Sequence, residues 1–220
     1  QTFTKYNKPD SNCFESGLIF YILVKKAKMA EDYSEQRHLQ LLESENEANV
    51  RLAFKLQEGL SSNLIAQKIQ AYQALAPIIT GYPPNLTQED LIKVIVNTGS
   101  LDKIKEINLR HSSYDKDSLP DEITVLKNLE KIEGFRRFKK AYKFRGIPEN
   151  IGQLTKLREL NLAGHTLSTL PKSLKQLTNL QHLNLYSNQF TEFPKVILEL
   201  ENLEYLDLRS NQIQQIPKEI

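Results

Sequence analysis

Residues 157–220 read LRELNLAGHTLSTLPKSLKQLTN (157–179), LQHLNLYSNQFTEFPKVILELEN (180–202) and LEYLDLRSNQIQQIPKEI (203–220), the same line written nearly three times in register. Leu157, Leu180 and Leu203 stand 23 residues apart. Each opens an L-x-x-L-x-L run, continued by Leu160 and Leu162, by Leu183 and Leu185, and by Leu206 and Leu208. A fixed period in the twenties is the mark of a stacked solenoid. Alternation at Leu160 and Leu162 suits a short strand with one face inward. The apolar residues that follow at three-residue steps, such as Leu167, Leu170, Leu174 and Leu177, suit a tight 3₁₀-like return path. A single unit cannot bury these side chains, but stacked units share one continuous core.

The period extends back toward the N-terminus in looser form. Ile104, Ile107, Leu109, Leu119, Pro120, Ile123 and Leu126 make a unit whose strand-to-proline leg is two residues longer. Leu129, Ile132, Ile147, Pro148, Ile151 and Leu154 make another, with a leg five residues too long. The pattern thus predicts about five repeats over 100–220, the last incomplete, with apolar residues and a strand edge left open near Ile220. Further repeats, a cap, another molecule or self-pairing would cover that edge.

These units resemble the leucine-rich repeat family in its 23-residue form, with L-x-x-L-P-x-x-I/L-x-x-L after the strand. The family's Asn position, whose side chain satisfies backbone groups inside the turn, is matched by Asn188 and Asn211, with His165 at the equivalent place. Histidine also donates and accepts, so His165 reads as a structural variant rather than a metal or catalytic group. The resemblance implies a module for protein recognition.

Residues 1–99 carry a different period. Residues 1–10 are polar and read as an extended lead-in. Ser11–Met29 is expected to be helical, with Asp10 or Ser11 as cap and Phe14, Leu18, Tyr21 and Ile22 on an apolar face. Further helices are predicted over Ser34–Leu42, after the capping-box spacing Ser44-x-x-Glu47, from Ser61 or Ser62 through Ala76, and from Thr87-x-x-Asp90 to Thr98. Gly59, the Thr80–Pro84 break and Gly99 punctuate them. The expected class is α+β: an all-helical N-terminal domain, 1–99, capping a curved solenoid of short parallel strands, 100–220.

Bulk properties exclude little else. The chain has 220 residues, 40% hydrophobic and 25% charged, and a formal charge of +2, which gives no global case for nucleic-acid or membrane binding. The lone Cys13 rules out an internal disulfide framework. Gln1 at the start suggests a processed or trimmed product, so either a cytoplasmic or a secreted or periplasmic, bacterial setting fits. The apolar run Gly17–Val24 is too short for a membrane span.

Catalytic patterns are absent from the sequence. Cys13, His38, His111, His165 and His182 are scattered without zinc-ligand spacing, and there is no G-x-S-x-G or phosphate loop. No enzyme activity, cofactor or metal is expected. Binding is better supported. Residues between the inward leucines face the concave wall on strands about 4.8 Å apart. In chain order they are Glu106, Asn108, Arg110; Lys131, Glu133, Phe135; Glu159, Asn161, Ala163; His182, Asn184, Tyr186; and Tyr205, Asp207, Arg209. A partner-binding patch is expected over Glu159, Asn161, His182, Asn184, Tyr186, Tyr205, Asp207 and Arg209, because rigid amphipathic rings and arginine concentrate binding energy.

Two other readings stay open. The long leg 135–146 carries Arg136, Arg137, Lys139, Lys140, Lys143 and Arg145 among Phe138, Tyr142 and Phe144, a composition that would grip an acidic partner, another anion or a nucleic-acid backbone. The plainer account has these aromatics plugging the irregular repeat. Alternatively the chain is the targeting segment of a larger signalling enzyme or effector.

Overall fold

The computed structural model describes residues 34–59, 63–109, 117–134 and 143–218. The predicted lead-in and Ser11–Met29 helix lie outside them. Among the described residues four helices come first: α1 over 34–42, α2 Glu47–Gly59, α3 Asn63–Ile79 and α4 Gln88–Thr98. The capping box at α4 is complete: Thr87 Oγ1 accepts from Asp90 N–H at 3.1 Å, and Asp90 accepts from Thr87 N–H at 3.3 Å. The box expected at α2 does not form. Asn46 caps that helix instead, accepting from Ala48 N–H at 2.9 Å, while Ser44 Oγ accepts from Asn46 N–H and from Asn49 Nδ2. Asn46 stands one residue before the helix, where an Asx side chain reaches the first free amides.

Helix α4 ends at Gly99, whose φ of 62° is a left-handed conformation that a side chain would resist. Buried Tyr72 of α3 donates its hydroxyl to Gly99 C=O at 2.6 Å, fastening the helices to the chain's entry into the first repeat. Burial, with Glu43 adding to it, pushes the Tyr72 phenol well above its ordinary pKa, so it stays a donor. Helix α3 lies against the first strand and the following 3₁₀ turn. A half-open hollow of about 560 Å³ remains between Ile78–Thr80, Asn97–Thr98 and Lys103–Asn108.

Five three-residue strands follow: β1 Glu106–Asn108, β2 Lys131–Glu133, β3 Glu159–Asn161, β4 His182–Asn184 and β5 Tyr205–Asp207. They pair in parallel and in chain order, with the middle residues Ile107, Ile132, Leu160, Leu183 and Leu206 aligned. On the opposite side run 3₁₀ segments Asp121–Val125, Ile151–Gln153, Lys172–Gln176 and Lys195–Glu199. Pro120, Pro171 and Pro194 immediately precede three of them at φ between −67° and −70°. Proline's fixed φ starts the turn, and its missing N–H costs nothing there. Buried apolar side chains from Leu42 to Leu200 form one cluster, so helices and repeats share a core.

Three repeated devices hold the coils in register. The turn after each regular strand needs one left-handed residue, supplied by Gly164 (φ 81°), Ser187 (54°) and Ser210 (57°), again 23 residues apart. The next residue fills the turn from inside. Asn188 accepts from Leu167 N–H at 3.0 Å and donates to Leu162 and Leu185 carbonyls. Asn211 repeats this with Phe190, Leu185 and Leu208. In the first regular unit His165 takes this place and reaches the irregular unit before it: Nδ1 accepts from Phe144 N–H at 3.1 Å, and Nε2 meets Gly134 C=O at 2.8 Å. Its Nε2 therefore carries the proton and donates.

The third device is an outer ladder of asparagines. Asn128, Asn179 and Asn202 donate to Asp102, Thr155 and Thr178 carbonyls of the preceding unit at 2.7–2.8 Å. Glycine is required where coils crowd most. A Cβ on Gly152 would stand 2.2 Å from Ser173 C=O, and one on Gly134 would stand 2.7 Å from Asn161 C=O.

Candidate functional site: the concave strand face

Flanking residues of each strand point away from the core, so the strands pave one wall. Its two ends differ. Toward β1–β3 the side chains bond one another: Lys131 pairs with Glu159 at 2.5 Å, and Asn161 donates to Glu133 at 2.9 Å. The Glu159 carboxylate, with Glu133 and Glu106 nearby, raises the Lys131 ammonium above its usual pKa. Two expected partner residues, Glu159 and Asn161, are thus engaged within the wall itself.

Toward β4–β5 the wall presents aromatic rings. Tyr186 and Tyr205 are 38% and 45% exposed. His182 stacks beside Tyr205, ring centroids 6.0 Å apart, and the Arg209 guanidinium lies 5.9 Å from the Tyr186 centroid. Beneath them Asp207 is only 5% exposed, although the strand pattern assigns it to the open face. Its carboxylate accepts from Arg209 N–H at 3.0 Å, Nε at 3.0 Å and Nη2 at 2.7 Å, with the Tyr205 hydroxyl at 3.4 Å. The Arg209 guanidinium, ahead of smaller opposing effects of burial, holds the Asp207 carboxyl below the ordinary carboxylate range. Asp207 therefore positions its neighbours rather than meeting solvent.

That arrangement belongs to a series that outward-facing alternation alone does not reveal. Asn161 Oδ1 accepts from Ala163 N–H at 3.2 Å, Asn184 from Tyr186 N–H at 3.0 Å and Asp207 from Arg209 N–H. Each is an Asx turn closing the strand two residues on. The signal was present as Asn-x-Ala, Asn-x-Tyr and Asp-x-Arg at the 23-residue step.

The basic leg is only partly in view. Arg136, Arg137, Lys139 and Lys140, like the grid residues Arg110 and Phe135, lie outside the described residues. Lys143 is exposed, and Arg145 stands 3.7 Å from the Asp117 carboxylate. Phe144 is buried and stacks on His165, centroids 4.6 Å apart at 21°, so it fills the irregular repeat. Among the described residues no group of three His, Cys, Asp or Glu side chains is placed to hold a metal, and no helix is long and apolar enough to cross a membrane.

A parallel sheet wound with 3₁₀ returns, an asparagine or histidine inside each regular turn and a leucine core defines a solenoid repeat protein. Residues 178–218 match the family model described as leucine-rich repeats (2 copies), and the coils from Ile104 onward form a leucine-rich-repeat solenoid. Among solved structures, the chain is similar to a leucine-rich-repeat protein of Leptospira interrogans, 39% identical over 51% of this chain and 27% of that one (TM-score 0.45). It is similar also to the ectodomain of the receptor kinase SOBIR1 of Arabidopsis thaliana, 28% identical over 54% and 61% (TM-score 0.40). The leucine-rich-repeat domain of the type III effector XopL is 18% identical over 78% and 66% (TM-score 0.38). The chain spans about a quarter of the Leptospira protein's length and under two thirds of the SOBIR1 ectodomain. Comparison with curated protein sequences gave no match. Leucine-rich-repeat folds commonly mediate protein–protein interaction.

Proposed function

We propose that this protein binds another protein on the concave face, with the contact centred on β4 and β5. Residues 1–99 act as a helical cap on the repeats of residues 100–220. Tyr186, Tyr205, His182, Arg209 and the side-chain amide of Asn184 make the contact, Asp207 braces it from below, and Glu159 and Asn161 form its polar rim. One observation carries this reading: two half-exposed tyrosine rings stand on neighbouring coils, Tyr205 in the row of His182 and Tyr186 in the row of Arg209, each already in contact with a second side chain. Burying a ring held this way gains apolar area while costing little rotamer entropy. The rim contributes less, because pairs such as Lys131–Glu159 must be desolvated or broken to gain a new partner.

Photo-crosslinking tests the location. A benzophenone side chain placed at position 205 should yield partner adducts in source-cell lysate, and the same group at exposed Leu198, on a 3₁₀ segment of the opposite side, should not. Equal yields from both positions would remove the concave assignment.

A further inference from the structure

The least expected feature of the wall is how completely Arg209 is fixed while remaining open. Its side chain is 79% exposed, and the Asp207 side chain beneath it is 6% exposed. Asp207 takes the Nε–Nη2 edge of the guanidinium in a bidentate grip, and the Tyr186 ring lies along the group. The Nη1 donors make no bond among the described residues. An arginine ordinarily loses rotamer freedom when it engages a partner, and here that cost is met within the folded chain.

At the equivalent positions of the two preceding units stand Ala163 and Tyr186, so the row beside Arg209 carries no competing charge. Substitution of Asp for Asn at the Asx-turn position is what makes the last unit different. Asn161 and Asn184 close their turns but have no negative charge with which to hold a cation, whereas Asp207 does both.

We propose that the unused edge of Arg209, beside Tyr186 and Tyr205, receives a carboxylate of the partner: an Asp or Glu side chain flanked by apolar residues. This inference rests on the concave-face reading above and specifies its chemistry. A guanidinium presents paired N–H groups at the spacing of carboxylate oxygens, so it reads a planar two-oxygen acceptor in one orientation. A phosphate dianion fits less well. Asp207 already balances the arginine's charge, leaving one cation between it and two further negative charges. The tyrosines, half-exposed, take the apolar flanks.

The experiment uses the full chain and three blocked tripeptides as probes: acetyl-Phe-Glu-Phe-amide, its glutamine counterpart and its phosphoserine counterpart. Binding is followed by NMR at the Arg209 Nε–H and the Tyr186 and Tyr205 ring signals. The glutamate peptide should shift all three and bind about tenfold tighter than the glutamine peptide, the margin of a charge-assisted over a neutral hydrogen bond. Arg209→Lys, which keeps the charge but loses the fork, should abolish that margin while lowering the melting temperature only slightly. Equal affinity for the glutamate and glutamine peptides, or a preserved margin in Arg209→Lys, overturns the carboxylate assignment. Tighter binding of the phosphoserine peptide overturns it as well, as does silence of all three probes. Failure here is separable from failure of the concave site: crosslinking confined to position 205 would still place a partner on this wall.

Discussion

The coil junction just before Leu157 and the junctions after it lie in the same sheet, yet they are closed with different chemistry. In the regular units an asparagine spans the gap between neighbouring coils, as Asn188 does from Leu167 to Leu162. The preceding irregular unit has a longer leg, and the larger His165 ring of the first regular unit bridges its Gly134 and Phe144 while stacking on the Phe144 ring. The concave wall divides along a similar line. Its β1–β3 part spends charges on each other, and its β4–β5 part leaves rings exposed. The repeat therefore fixes where side chains stand, and the residues between the leucines decide whether they bond inward or remain available to a partner.

Breaking the shared core should have the largest effect. Leu183 is fully buried at the centre of the sheet, and Leu183→Ala should cost about 2–5 kcal/mol through a cavity that rigid neighbouring coils cannot close. Urea unfolding at constant slope would measure it. A loss well under 1 kcal/mol would mean that the coils are not packed on one another.

The two turn fillers sharpen the comparison further. Asn188→Ala should cost about 3 kcal/mol, since it orphans one buried N–H and weakens the satisfaction of two carbonyls at about 1–3 kcal/mol per unpaired group. His165→Asn should cost about 1–2 kcal/mol, because the shorter amide cannot reach both Gly134 and Phe144 and the ring stack is lost. If asparagine at 165 were neutral or stabilising, the histidine would not be fitted to the longer leg.

The smallest effect concerns Asp207. Its folded-state pKa is depressed by Arg209, so its contribution is fully present above the unfolded value near 3.9 and is lost as pH falls through the lower folded value. Stability measured at pH 6 and again below pH 3.9 should therefore drop more in the natural protein than in Asp207→Asn, which keeps the turn acceptor without the charge. An identical acid drop in both would show that the Arg209 grip adds nothing to the fold.

Much of this was legible in the residues. A 23-residue step fixes coil spacing because stacked strands must align their leucines, and the register carries His165 into the asparagine's place even though its side chain differs. The Thr87–Asp90 box was readable because both partners lie within four residues. Ser44 misled because a hydroxyl and an amide, two residues apart, compete for the same helix end, and Asn49 engages the hydroxyl. Asp207 was harder. Strand alternation places it outward, but its turn bond and the Arg209 and Tyr205 side chains close over it, a result of contacts between neighbours rather than of period. The asparagine ladder at 128, 179 and 202 escaped notice because exposed asparagine has no apolar signature.

The most direct test of the binding wall is the affinity of an isolated crosslinked partner for the Tyr186→Ala, Tyr205→Ala double variant, measured by calorimetry beside its melting temperature. The expected result is loss of detectable binding with nearly unchanged melting, since both rings are half exposed and outside the core. Unaltered affinity in that variant would contradict the assignment of recognition to β4 and β5.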